Sequence, residues 1–195
     1  EKNAITEIGI AISDGTKIID RYQSLVNPQK PIPFAITRLT GIDDEMVANA
    51  PVFEEIAEEI EHWLSNKIFV AHHVNFDYTF VRKALVECGI KFRAKRLCTV
   101  RYTKKTFPKL NRYSLAHLSQ HFKVTNPNPH RALADAETAA EILHILLEED
   151  ASGKQRKYLI QHDKEVKIPV HLEPESYHEL PEKPGVYYFY DKDNK

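Results

Sequence analysis

The sequence has no excess of either charge: 27 Lys and Arg stand against 28 Asp and Glu, a formal net charge of −1 over 195 residues. That excludes a globally basic nucleic-acid binder and an acidic tail alike, so any contact with a polyanion has to come from a local patch. Cysteine is scarce. Cys88 and Cys98 are the only two, too few for a disulfide framework, and a reducing, cytoplasmic setting is the expectation. No apolar run reaches the length of a bilayer span and none reads as a signal peptide, so no membrane partner is expected. P-loop, G-x-G-x-x-G and G-x-S-x-G patterns are all absent, which disfavours nucleoside-triphosphate and serine-hydrolase chemistry. Zinc spacing is missing too, since the adjacent His72 and His73 cannot easily face one ion. The chain opens on Glu1 and stops in a turn after Asp191, so both ends read as cuts through a longer parent.

What is present has clear periodicity. Ile5 to Ile12 is a β-branched run of buried-strand length, Asp14-Gly15 turns it, and Lys17 to Val26 alternates as its hairpin partner. Phe34 to Ile42 is a short helical segment ended by Gly41. From Pro51 the stripe Phe53, Ile56, Ala57, Ile60, Trp63, Leu64 predicts an amphipathic helix. Ile68 to Ala71 is a short buried strand, and Asn75 is placed to cap the helix after it, whose stripe is Phe80, Val81, Ala84, Leu85 and Cys88. Lys91 to Arg112 holds nine Lys and Arg and no acid, interleaved with Tyr102 and Phe107. Such a stretch is either a phosphate-attracting patch or a solubilising face. Leu97 to Arg101 is its expected strand, and Ser114 caps a helix carrying Leu115, Leu118 and Phe122. A long helix from about His130 to Glu149 follows a stiff Asn126-Pro-Asn-Pro129 lead. Its stripe is Ala132, Ala136, Ala139, Ile142, Leu143, Leu146 and Leu147. Beyond Asp150 the periodicity fades; 151–179 reads as a polar linker, and a new domain begins near Leu180.

Two carboxylates interrupt this regularity. Asp77 and Asp135 each fall on the apolar stripe near the start of a helix. For Asp77 a first-turn acid favoured by the helix dipole is an adequate explanation by itself. Together, two acids on faces that pack on one sheet would cost several kcal/mol unless paired or neutralised by a cation. A hard ion such as Mg²⁺, held by one or two carboxylates with water and phosphate oxygens, suits them. Metal-assisted phosphate chemistry near nucleic acid is as far as the residues lead unaided.

Beside that stands a resemblance. His130-Arg-Ala-Leu-Ala-Asp135-Ala136 resembles the H-x-A-L-x-D-A motif of the DEDDh 3′→5′ exonucleases, the proofreading epsilon-subunit family of bacterial DNA polymerase III. Ala71-His-His-Val-Asn-Phe76-Asp77 is similar to that family's A-H-N-A-x-F-D, with His73 where Asn is usual. Ile5-Thr-Glu-Ile-Gly9 resembles its second strand, and Leu39-Thr40-Gly41-Ile42 its substrate-side loop. The four lie in the family's order over residues 1–150. The resemblance implies an α/β, RNase H-like mixed sheet flanked by helices, with Asp77 and Asp135 as ligands of a site for two Mg²⁺ or Mn²⁺ ions. It implies His130 as the general base, and Phe76, Leu39 and Thr40 as contacts to the terminal nucleotide of a single-stranded DNA 3′ end. It also implies a departure. The family's other two ligands lie in a D-x-E motif on a central first strand, and no residue from Glu1 onward occupies it; Glu7 and Asp14 do not substitute. Little Mg²⁺-dependent activity is expected of these residues alone.

Residues 180–195 resemble the opening of GIY-YIG endonuclease domains of the excinuclease type, with Tyr187 as the active-site tyrosine. That pairing implies DNA repair. The rival readings are a proofreading subunit acting only within a DNA polymerase complex and a catalytically inactive nucleic-acid-binding relative.

Overall fold

The computed structural model describes residues 4–153; Tyr187, the segment 180–195 and nearly all of the expected linker lie outside them. Strands β1 (Glu7–Ser13) and β2 (Ile18–Leu25) pair antiparallel, with Glu7 opposite Leu25 and Ile12 opposite Asp20. Asp14 closes the turn: its Oδ1 accepts from the backbone N–H groups of Thr16 and Lys17 at 2.8 and 2.9 Å, while Gly15 takes a φ of 97°. Helix α1 (Phe34–Thr40) ends as expected at Gly41, which at φ 72° sends its N–H back to the Thr37 carbonyl. A single turn, α2 (Asp44–Val47), follows on an Asp43 cap. Helix α3 (Phe53–Leu64) buries Ile56, Ala57 and Ile60.

The next unit is parallel. Strand β3 (Ile68–Ala71) leads into α4 (Val74–Glu87) and returns as β4 (Lys95–Cys98), with Ile68 opposite Lys95 and Ala71 opposite Cys98. Then come α5 (Thr99–Thr106), α6 (Leu115–Phe122) and α7 (Ala132–Glu149). Ser114 caps α6 through its hydroxyl, as the sequence implied.

Three expectations need correction. The strand expected over Leu97 to Arg101 stops at Cys98, and Thr99 opens α5 instead. Helix α4 begins at Val74, so its cap is His73 and Asn75 sits inside the first turn, where its Oδ1 accepts from Arg96 Nη1 at 3.3 Å. The last helix starts at Ala132, leaving His130 in the turn before it.

One apolar cluster joins Ile8 and Val26 of the hairpin segment to Ile56, Ala57 and Ile60 of α3 and Tyr78 and Leu85 of α4. A second joins Leu97, Tyr102 and Leu118 to Ile142, Leu143 and Leu146 of α7. Inside it the fully buried Tyr102 donates its hydroxyl to Asp150 Oδ2 at 3.0 Å. Tyr102→Phe withdraws that donor from a buried carboxylate and should lower the unfolding free energy by about 1–3 kcal/mol. Urea titration of the two proteins checks this; an unchanged midpoint would mean the bond contributes nothing.

Among the described residues the strands do not form one sheet. They make two two-stranded sheets, β1–β2 and β3–β4. Between them lies a cavity of about 1500 Å³ walled by β1 (Ile8, Ile10), β3 (Phe69, Val70) and α7 (Ala136, Leu143). Helix α7 crosses β1 so closely that a Cβ on Gly9 would overlap the Leu133 nitrogen.

Candidate active site

Asp77 and Asp135 are brought together. Both line the cavity between the sheets, each from the first turn of its helix. Burial pushes the Asp77 carboxyl above the usual carboxylate range, and Asp135 adds to the rise, against hydrogen bonding to its own backbone N–H and the neighbouring His73. Two like charges crowded into one cleft are what a divalent cation would relieve. Asp135 uses one oxygen locally: its Oδ1 accepts from Asn126 Nδ2 at 2.8 Å and from the His130 N–H at 3.4 Å. Its Oδ2 accepts no hydrogen bond from the described residues and stays available.

This donor set fits one hard ion completed by water and phosphate oxygens. It falls short of a two-ion centre, because no group of three or more His, Cys, Asp or Glu that could hold a metal occurs among the described residues. Glu7 cannot contribute: Arg131, the Ala132 N–H and Gln23 already occupy its carboxylate. Asp14 is spent on its turn.

The histidines divide by setting. His130 has a φ of 69° and an exposed side chain that makes no hydrogen bond among the described residues. His73 shares that left-handed φ of 69°. Asn and His are among the few side chains enriched in that backbone region, which accounts physically for a His where the family motif carries Asn. His72 went unassigned at the level of sequence. One ring nitrogen meets Thr99 Oγ1 at 3.0 Å and the other the Tyr113 carbonyl at 2.9 Å, which ties the end of β3 to α5 and to the lead-in of α6.

Burial, with His73 beside it, pushes the His72 imidazole down to about 4 against the opposing pull of the Tyr113 carbonyl and Asp135. An unfolded chain takes up that proton near the ordinary value of 6.5. The contribution of His72 to stability is therefore complete above pH 6.5 and drains away as pH falls to about 4. His72→Asn should flatten the decline in unfolding free energy across that window, read from urea midpoints at several pH values. An unaltered slope would discount the buried ring.

Of the expected substrate contacts, Phe76 lines the cavity and is 66% exposed. Leu39 and Thr40 do not line it. The Thr40 hydroxyl donates to the Ile36 carbonyl at 2.9 Å and accepts from the Ile42 N–H at 3.2 Å, which commits it to the helix end. Leu39 is exposed on the same helix, and its neighbour Ile36, unremarked in the sequence, does reach the cavity.

Residues 1–143 match the family model RNase_T, described as Exonuclease. A protein named 3′-5′ exonuclease DinG from Staphylococcus aureus (strain MRSA252) is 38% identical over 145 residues, 74% of this chain and 16% of that protein. The chain thus spans about a sixth of the length of such curated relatives. A solved structure of Exonuclease X in complex with 5′ overhanging duplex DNA superposes with a TM-score of 0.60 at 27% identity, covering 76% of this chain and 85% of that one. The nuclease domain of 3′hExo, a DEDDh family member bound to rAMP, gives a TM-score of 0.64 at 16% identity, covering 82% and 84%. S. pombe Pop2p in its Mg²⁺- and Mn²⁺-bound form gives 0.63 at 18%, covering 79% and 71%. The RNase H-like α/β class expected from the sequence holds.

Proposed function

Because the chain belongs to the RNase_T exonuclease family, with the features of a DEDDh-type 3′→5′ exonuclease domain, we propose that it hydrolyses the terminal phosphodiester of DNA from single-stranded 3′ ends. The observation that carries this reading is the convergence of Asp77 and Asp135, from two separate helices, on one cavity. Asp77 and Asp135 would hold Mg²⁺ or Mn²⁺, which would supply charge neutralisation at the scissile phosphate and a more acidic water. The remaining chemistry belongs to the chain. His130, on an exposed turn, takes the proton of the attacking water at an imidazole nitrogen, the general-base role that histidine fills most often. Phe76 stacks on the terminal base, with Ile36 also lining the cavity, while Leu39 lies outside it and the Thr40 hydroxyl only fixes the end of α1. Arg101, Lys104 and Lys105, exposed on α5, draw in the phosphate backbone.

No helix among the described residues is long and apolar enough to cross a membrane; the cytoplasmic assignment rests on the two cysteines, too few for a disulfide framework. A role in repair, with Tyr187 opening a second nuclease domain at 180–195, rests on the sequence motif. A proofreading role would require a DNA polymerase to co-purify with the full-length protein.

The test is a 5′-labelled single-stranded oligonucleotide incubated with the full-length protein and Mg²⁺. A ladder shortening from the 3′ end and abolished by EDTA is expected; an intact oligonucleotide at all enzyme concentrations would overturn the reading in favour of an inactive binding relative. A polypeptide of these 195 residues alone should degrade the same substrate weakly, since of the four carboxylates lining the cavity Glu7 and Asp14 are committed to other donors and only Asp77 and Asp135 are left to hold an ion. Full EDTA-sensitive activity from that polypeptide would refute the ligand assignment.

A further inference from the structure

We infer that Glu7 and Arg131 form a positioning clamp that sets the His130 turn and the first turn of α7. The inference rests on the function proposed above. Glu7 stands on β1 with its side chain only 4% exposed, which is costly for a carboxylate unless every oxygen is satisfied. It is satisfied from three sides. Arg131 Nη2 donates to Oε1 at 2.7 Å, and Arg131 Nε to the two oxygens at 3.1 and 3.2 Å. The Ala132 N–H donates to Oε2 at 2.8 Å, and Gln23 Nε2 to Oε1 at 2.8 Å. Burial works to raise the Glu7 carboxyl, but these donors together hold it below its ordinary value.

Helix α7 receives no side-chain cap from its own N-cap residue, Arg131. Glu7 caps it instead, from a position 125 residues earlier in the chain. The guanidinium is thereby fixed on β1 in a fork that lysine cannot reproduce. Arg131 follows His130 directly, and its carbonyl accepts the Asp135 N–H at 3.0 Å. Its own N–H is held by the Asn128 carbonyl at 3.2 Å. One anchored side chain therefore determines where the base's backbone turns and where the Asp135 carboxylate begins. Gly9, two residues along β1, lets the strand meet this same first turn with no side chain between.

An ordinary stabilising ion pair would change stability alone, so the test separates the two roles. Arg131→Met, Arg131→Lys and Glu7→Gln are made in the full-length protein. Arg131→Met is expected to lower kcat by roughly 10-fold to 10²-fold with KM within about twofold, the scale of misplacing a reacting group by an ångström. Arg131→Lys, which keeps the charge and is the variant least prone to misfold, recovers part of that loss. Amide exchange over residues 130–135 should quicken in Arg131→Met and Glu7→Gln while α3 and β3 exchange as in the wild type. Protection lost everywhere at once, with kcat per folded molecule unchanged, overturns the clamp, as does wild-type exchange in both variants. If the wild type shows no exonuclease activity, the proposed function fails and the exchange data still judge the clamp.

Discussion

His130→Ala in the full-length protein should reduce kcat by roughly 10²-fold or more, the usual scale for loss of a general base, with KM little changed. The fold should survive, because the imidazole is exposed and supports no hydrogen bond among the described residues. The backbone complicates the substitution. His130 holds a φ of 69°, where alanine is strained and asparagine is tolerated. His130→Asn keeps that backbone while removing the base, so the two variants should lose activity equally if the imidazole is what matters. Wild-type turnover by either one sinks the assignment. Recovery by asparagine alone would shift the role from the ring to the turn.

The second large effect is on folding. Gly9→Ala drives a Cβ into the Leu133 nitrogen and the Ala132 carbonyl carbon. Those are backbone atoms of a helix start and cannot rotate away, so β1 and α7 must part. A loss of about 3 kcal/mol, the upper part of the range for overpacking, is expected from urea unfolding. The same displacement would pull Glu7 away from the Ala132 N–H, so activity should fall even in the folded fraction. A variant as stable as the wild type would mean that the seam between β1 and α7 is looser than its geometry.

Much of this architecture was legible because hydrophobic periodicity and turn chemistry are local signals. The Asp14-Gly15 hairpin, the Gly41 stop, the Ser114 cap and the stripes of α3 and α7 all came from residues within a few positions of one another. Helix α5 escaped for a physical reason. Its buried face is Thr99, Val100, Tyr102 and Thr103, and the Thr103 hydroxyl is satisfied by the Thr99 carbonyl at 2.8 Å, so a buried surface looks polar in sequence. Asp150 read as the edge of a linker because its partner, Tyr102, lies 48 residues away. At the site, the motif spacing pointed to Asp77 and Asp135, which do share a cavity. It offered nothing about His72, held by Thr99 and Tyr113, or about Glu7, whose role exists only once β1 lies against α7.

The divided sheet bears on how the molecule behaves in a tube. Strands β1 and β3 each have a strand neighbour on one side only among the described residues, and apolar walls lie between them. Backbone donors and acceptors left in such rows are a template for any extended chain that reaches them, including another copy of the same polypeptide. A polypeptide confined to the described residues, 4–153, should therefore bind hydrophobic dyes and self-associate as its concentration rises, and handling it dilute, or with a partner strand supplied, becomes a practical matter of colloidal stability.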